Sequence, residues 1–473
     1  MLGLSEGDAR TLTAPEHPAD SDEATCTGYR LYDIAADGTR TEVDGSPFSG
    51  TTCDYVHGTT RRALVWQWNM PEETVEATGT ALEDGAALQA ALDAHKYAKI
   101  SVGPGDYRLS GRAFHIRNAV LLRGTASDPY LTKMQVATST GYEYAVVVSN
   151  ALAKVENLLF SNLRSMNGKS AGAVRLWAGT VDHCIASNSA NVVSGYLNVP
   201  GGGFCMEGGT VRNSLAIDCQ HGRAEGGGFG LRKAGCLVEN CRAIRCNSEG
   251  YDSARGGGIA AFAGTVRNCL VANCRSQASG FGIYLGGSVT VENCTVVDCT
   301  TKKSAGGSGI EIASGAATVR NTIAWGNKNV NGISDIALNS VRGIVEACDS
   351  VPQFDVRLGN VSTDPGFTDP ASGDYTIGFS ACVDGGVYQG WMNSICDLAG
   401  GNRVKGPEPD MGCYERDVSD ELNCSFVYET SGGVDSGEIS LVATVDGAKG
   451  KPVYNWYAIG QDGTTNATLR GEE

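Results

Sequence analysis

Two loops gather the densest set of groups able to move protons or bind anions: CQHGRAEGGG at 219–228 and CNSEGYDSARGGG at 246–258. They contribute His221, Arg223, Glu225, Glu249, Tyr251, Asp252 and Arg255. Chemistry on an acidic sugar polymer needs a cation to neutralise a uronate carboxylate, a base for the C5 proton and an acid for the leaving oxygen. In that scheme His221 or Tyr251 is the base and Arg223 or Arg255 the carboxylate clamp. Glu249 and Asp252 are the oxygen ligands that a hard Ca²⁺ ion takes. Hydrolysis would instead require a facing pair of carboxylates. The plain alternative is that charged loops are solvated turns.

A second set lies on short segments in which a glycine turn precedes an apolar-x-apolar triplet: AGAVRLW (171–177), GGFCME (202–207), GGFGLR (227–232), GGIAAF (257–262), GFGIYL (280–285) and GSGIEI (307–312). Each reads as a short strand with one face inward. The outward positions are then Arg175, Trp177, Glu207, Arg232, Phe262, Tyr284 and Glu311. Aromatic faces with interspersed charge suit stacking on sugar rings, so these seven are the candidate substrate-binding strip for a linear glycan. The stretch SANVVSGYLNVP (189–200) is placed either to cover that strip or to wall it.

The elements that must position these residues come from a repeat. A nine-residue phrase recurs seven times, with third positions Asn157, His183, Asn213, Asn240, Asn268, Asn293 and Asn321. The spacings are 26, 30, 27, 28, 25 and 28 residues. Leucine-rich repeats share such a period but need several Leu per unit, which these lack. Val155, Val181, Val211, Val238, Val266, Val291 and Val319 stand two before the anchor, and Phe160, Ala186, Ala216, Ala243, Val271, Val296 and Ala324 three after it. A strand alternates faces with period two, so apolar sites at −2 and +3 require a bend between them and place the Asn at a corner. Stacked coils then close a common core, each strand about 4.8 Å from the next. The residue before the anchor alternates in sign from Arg212 through Glu239, Arg267, Glu292 and Arg320, which predicts an exposed ladder of opposite charges that sets register.

Of 17 cysteines, Cys184, Cys241, Cys269 and Cys294 share the position after the anchor, and Cys219, Cys246, Cys274 and Cys299 share the sixth. Recurrence once per coil does not converge on one tetrahedral centre, so a zinc site is excluded. Stacked buried thiols are expected, with coil-to-coil disulfides the alternative.

Upstream, EDGAALQAALDAH (83–95) reads as an amphipathic helix able to cap the open end of a solenoid. The helix, the VGPGDY turn and the VxNC coils resemble bacterial right-handed parallel β-helix proteins of the pectate-lyase-like superfamily. After the last coil, DPGFTDPASGDYTI (364–377), CVDGG (382–386), DLAGGNR (397–403) and PDMGCYE (409–415) resemble the choice-of-anchor-type segment that closes such helices in secreted or cell-surface proteins. Cys382, Cys396 and Cys413 depart from that segment's usual pattern and are placed to pair in an oxidising compartment. The resemblance implies the fold; its members include lyases, hydrolases and adhesins, so it leaves activity open. No lyase or hydrolase signature maps residue by residue onto the loop cluster.

The expected organisation is a disordered leader at 1–24, a small β module at 25–76 whose Cys26 and Cys53 clip its ends, and a parallel β-helix at 77–350. A closing segment at 351–417 and an incomplete immunoglobulin-like or polycystic-kidney-disease-like β module at 418–473 follow. The fold class is therefore all-β: a right-handed parallel β-helix capped by an N-terminal α-helix and flanked by small β-sandwich-like modules. A net charge of −16 argues against nucleic acid, which needs a basic face, and no apolar run approaches the roughly 20 residues of a spanning helix. Gly at 64 of 473, without a Gly-X-Y period, fits a turn-dense globular chain. The expectation is a monomeric piece of a larger extracellular or cell-surface protein that binds or displays a polysaccharide, with calcium as a candidate cofactor. A polysaccharide lyase or glycoside hydrolase is the second reading, and a stalk or adhesin spacer the third.

Overall fold

The computed structural model describes residues 9–14, 24–35, 40–56, 61–138, 144–161, 172–191, 201–222, 225–249, 254–301 and 307–416, together with the strands of 423–472. The chain divides into two units, Met1–Arg416 and Asp417–Glu473. In the first, a parallel β-solenoid of about nine turns defines the class: an all-β, right-handed parallel β-helix.

Each turn is drawn from three sheets of 18, 9 and 7 strands, parallel apart from the last strand of the third, Gly332–Ile333, and the 18-stranded one carries two strand rows per coil. One coil shows the pattern. Val174–Leu176 and Thr180–Asp182 lie in the long sheet, Ile185–Ser187 in the second and Ala190–Asn191 in the third. The expected corner is present: Asn157, His183, Asn213, Asn240, Asn268, Asn293 and Asn321 all have φ between +48° and +57°. Asn tolerates this left-handed region better than other Cβ-bearing residues because its short amide bonds locally. A second left-handed corner follows five residues later, at Asn188, Asp218, Arg245, Asn273 and Asp298.

Register aligns the seven Val in one stack, fully buried. The +3 residues form a second stack. Burying a Val is worth about 1.5–3 kcal/mol, so each coil adds a modest increment realised only against its neighbours. Phe204 and Phe229 stack inside at 5.0 Å between centroids.

The cap is α1, Ala81–Ala94, which buries Leu88 and Leu92. Gly85 lies where a Cβ would stand 2.0 Å from the Arg108 carbonyl oxygen, so only glycine lets the helix rest on the strand Gly105–Ser110. The Gln89 amide acts as a surrogate strand: Nε2 donates to the His115 carbonyl at 3.0 Å and Oε1 accepts from the His115 N–H at 2.8 Å. The open edge of the first coil is thereby satisfied.

Four expectations are corrected. Ala9–Thr13, in the stretch read as a disordered leader, pairs antiparallel with Thr52–Val56 because its Thr/Leu alternation suits a strand. Glu72–Val75 leaves the small module and joins the long sheet beside Lys99–Val102. Cys26 and Cys53 do not clip: they lie in different sheets, Cys26 opposite Trp68 and Cys53 opposite Leu12, and both are free thiols. Cys382, Cys396 and Cys413 are free as well, Cys382 donating to the Asp349 carboxylate at 3.2 Å.

The charge ladder forms, with Arg212 to Asp182 at 2.8 Å and Arg320 to Glu346 at 2.8 Å, and Arg267 bonded to Glu239. It is not wholly exposed, because the closing segment lies over it: Trp391 Nε1 donates to Glu292 at 2.8 Å and the Trp391 ring takes the Arg267 guanidinium at 4.8 Å. That segment also covers the corners from Asn240 to Asn321, whose amides donate to the carbonyls of Cys396, Asp410 and Val387.

Among the described residues the second unit holds two antiparallel strand pairs, Asn423–Thr430 with Ile439–Asp446 and Val453–Ile459 with Thr465–Glu472.

Candidate functional site

Parallel register carries the middle residues of the glycine-strands along one row: Arg175, Cys205, Gly230, Ala260, Tyr284 and Glu311. The next outward position forms an adjacent row. There the backbone N–H groups of Trp177, Glu207 and Arg232 each bond to a carbonyl one coil back, and Phe262 follows on the next coil. All seven residues singled out for the strip thus lie on one face, in two groups.

The first group surrounds Glu207. Its carboxylate, 10% exposed, lies 3.8 Å from Arg175, 3.8 Å from Arg232 and 3.7 Å from Lys233. Three cations around one carboxylate leave a local excess of two positive charges on a chain of net −16. Trp177 stands beside them, 43% exposed. The Arg175 guanidinium lies 4.3 Å from its ring centroid and 5.6 Å from that of Tyr144, and the Lys233 ammonium lies 5.9 Å from the Trp177 ring. Such cation–π contacts hold the indole in place. The Arg175 Nε is buried without a hydrogen-bond acceptor among the described residues.

The second group joins the strip to the loop set. Arg255 Nη1 donates to the Tyr284 hydroxyl at 2.8 Å and its guanidinium lies 5.0 Å from the Tyr284 ring centroid. Phe262 meets Tyr284 edge-on at 6.1 Å. Glu225 pairs with Arg255 through a parallel backbone bridge. Burial pushes the Glu225 carboxyl above its ordinary value against the pull of Arg255 and Arg232, and burial likewise pushes the Tyr284 phenol up. Glu311 Oε1 accepts from Asn339 at 3.2 Å, while Oε2 is buried without a donor among the described residues.

Several residues stand differently from the expectation. Tyr284 is buried and presents no free face for a sugar. His221 is also buried, its strand Gln220–His221 paired with Asn247–Ser248, which removes it from the loop edge. Glu249 faces Arg275 at 4.0 Å. Arg223, Tyr251, Asp252 and most of 189–200 lie outside the described residues. Among the described residues no three His, Cys, Asp or Glu side chains group as metal ligands. The second member of the expected calcium pair, Asp252, lies outside the described residues. Lys233 and Tyr144 were not singled out from the sequence. Lys233, directly after Arg232, could have been found by following the strand one residue past its turn.

Residues 118–341 match the family described as right handed beta helix region. No curated protein matches the chain. Among solved structures it is similar to ORF18 of Geobacillus virus E2, with 11% identity, 65% of each chain covered and a TM-score of 0.34; the match thus spans under two thirds of that protein. It is also similar to the A-modules of two Azotobacter vinelandii mannuronan C-5 epimerases. For AlgE4 the identity is 14% over 56% of this chain and 96% of the module, with TM-score 0.29; for AlgE6 it is 14% over 57% and 95%, with TM-score 0.24. Among the described residues no helix is long and apolar enough to cross a membrane.

Proposed function

We propose that the protein is a β-helix module that binds an acidic glycan, with the patch of Arg175, Trp177, Glu207, Arg232 and Lys233 as its contact. The observation that carries this reading is the three cations around the Glu207 carboxylate beside a half-exposed Trp177. A tryptophan face stacks on the apolar face of a sugar ring, and surplus cations take its carboxylate or sulfate groups. An acidic chain gains such sites only by concentrating Lys and Arg locally, since its overall field repels polyanions. The reading carries with it a location outside the cell or at its surface, where such polymers are met.

The test is retention of the protein on an insoluble acidic polysaccharide and on a neutral one. Retention on the acidic matrix that drops at least ten-fold in Trp177→Ala and falls with salt supports the reading. Equal retention on both matrices, or none on either, overturns it.

A second reading is a polysaccharide lyase or glycoside hydrolase, which the Glu225, Arg255 and Tyr284 cluster favours. It offers a carboxyl pushed upward, as a general acid needs, beside a guanidinium already bonded to a phenol. New unsaturated or reducing ends from a polysaccharide panel, abolished in Glu225→Gln, would establish it.

A further inference from the structure

Among the seven copies of the phrase the second departs from the rule, as does the corner after the last copy, Ala347 at φ +49°. Six of the seven first corners carry Asn, and the second copy carries His183. The residue before the corner alternates in sign from Asp182 onward, but Glu156 and Asp182 place two acids on neighbouring coils, paired in register. Like charges directly opposite are destabilising, and here Lys154, which reaches both carboxylates, offsets the repulsion. Departures from local consistency concentrate at functional positions.

The geometry at this coil is specific. Asp182 Oδ1 lies 2.7 Å from His183 Nδ1 and accepts from Asn213 Nδ2 at 2.8 Å. Its Oδ2 accepts from the Arg212 guanidinium, Nε and Nη2 both at 2.8 Å, and Lys154 Nζ lies 3.6 Å away. Burial pushes the Asp182 carboxyl up, but the bonds from Asn213 and Arg212 and the surrounding positive charge outweigh it and keep it ionised. The carboxylate is 4% exposed and the imidazole 67% exposed. A buried carboxylate thus fixes one ring nitrogen and leaves Nε2, which has no partner among the described residues, to face outward. This is the arrangement by which a carboxylate orients an imidazole and leaves its other nitrogen to a ligand.

The imidazole opens on a cleft of about 730 Å³. Four successive coils line it through Lys99 and Ser101, Arg123 to Ser127, Lys154 with Glu156 and Asn157, and Asp182 with His183. The lining has no Phe, Tyr or Trp; it sets three cations against the carboxylates of Glu156 and Asp182, with hydroxyls and an amide, and Lys99 is already paired with Glu72 at 2.7 Å. Arg123 and Lys154 converge on Glu156, Arg123 at 3.6 Å. The closing segment, which covers the corners from Asn240 to Asn321, does not line this cleft.

We propose that this cleft is a second ligand site, for a small polyhydroxylated oxyanion of the sugar-acid class. Arg123 and Lys154 hold the anionic group, and His183 Nε2 accepts a hydrogen bond from a ligand hydroxyl. The site is independent of the Trp177 patch, since it lies past the turn on the adjacent strand row and needs no stacking face.

The experiment follows the ring-nitrogen resonances of the six histidines in the ¹⁵N-histidine-labelled 473-residue chain. The His183 signal is assigned by its loss in His183→Asn, a variant that restores the residue of the other corners and should fold with an undiminished unfolding temperature. Monomeric galacturonate should displace that signal saturably, while glucose and acetate at equal concentration should not. Arg123→Gln should weaken the galacturonate response at least five-fold, and Trp177→Ala should leave it unchanged. No saturable displacement, an equal displacement by acetate, or a response that survives Arg123→Gln unchanged would overturn the site. Loss in Trp177→Ala would assign the response to the other patch.

Discussion

The Arg403 guanidinium and the Glu415 carboxylate meet at 2.7 Å with both side chains withdrawn from solvent, 0% and 1% exposed. Arg403 Nη2 also donates to the Asp410 and Gly412 carbonyls at 2.8 Å each. This pair ties DLAGGNR (397–403) to PDMGCYE (409–415), and Asp397 reinforces it by accepting from the Glu415 N–H at 2.9 Å. Removing one partner of a buried pair leaves the other charge uncompensated, at a cost of about 3–5 kcal/mol. Arg403→Met should lower the unfolding free energy by that amount in urea titration. Arg403→Lys should not restore it, because an ammonium lacks the planar fork that reaches three acceptors.

Glu207 holds three cations in check. Neutralising it in Glu207→Gln should strengthen retention on an acidic polysaccharide several-fold and steepen its salt dependence, since one more positive charge faces the ligand. Weaker binding in this variant would mean that Glu207 orients the cations more than it screens them.

Asp335 is fully buried, accepting from the backbone and side-chain N–H of Asn327, each at 2.9 Å, and from the Val351 N–H at 3.1 Å. Burial outweighs these bonds and raises its pKa from 3.8 to about 6. The folded state therefore holds the proton more tightly than the unfolded chain. Its stabilising contribution is fully present below about pH 4 and is lost as pH rises through about 6, a swing on the order of 3 kcal/mol. Unfolding of the native chain and of Asp335→Asn at pH 4.5 and 7.5 checks this: the native chain should lose more stability between the two than the variant, and equal losses would refute the assignment.

The stacked cysteines are all free thiols whose S–H groups point at carbonyls within the core, as Cys219 does to Ala186 and Cys246 to Ala216, at 3.2 and 3.3 Å. Burial pushes the Cys219, Cys246, Cys269, Cys274 and Cys294 thiols well above their ordinary value. The thiolate is the reactive form, so iodoacetamide should label exposed Cys396 in the native protein and leave these five untouched. After denaturation without reductant all five should label; failure there would mean that they are paired.

Asn293 combines φ of +48° with a bond from its amide to the Asp410 carbonyl at 3.1 Å. Asn293→Ala loses the bond and adds left-handed strain of about 1–2 kcal/mol, whereas Asn293→Gly loses the bond without the strain. The glycine variant should therefore unfold at higher urea than the alanine variant, and the reverse order would contradict the corner's role.

The solenoid was legible because its causes are local and repeated. Val two before each anchor and an apolar residue three after it can be buried together only if the chain turns at the Asn, and seven copies at one period leave stacking as the way to close the core. The outward strip was legible for the same reason, since parity along a short strand assigns each residue a side. The second corner was not, because Asn188, Asp218, Arg245, Asn273 and Asp298 share no single residue type.

What each outward residue meets was decided only in three dimensions. Whether Tyr284 is a stacking face or the buried partner of Arg255 depends on a loop from the preceding coil. Whether Glu292 is solvated or capped depends on Trp391, 99 residues further along the chain. The sequence by itself determined the coil, its period and the side on which each group lies, because nearest-neighbour register suffices for these. Only the tertiary structure decided which cation meets which carboxylate, because a charge takes its properties from neighbours whose distance along the chain no period encodes.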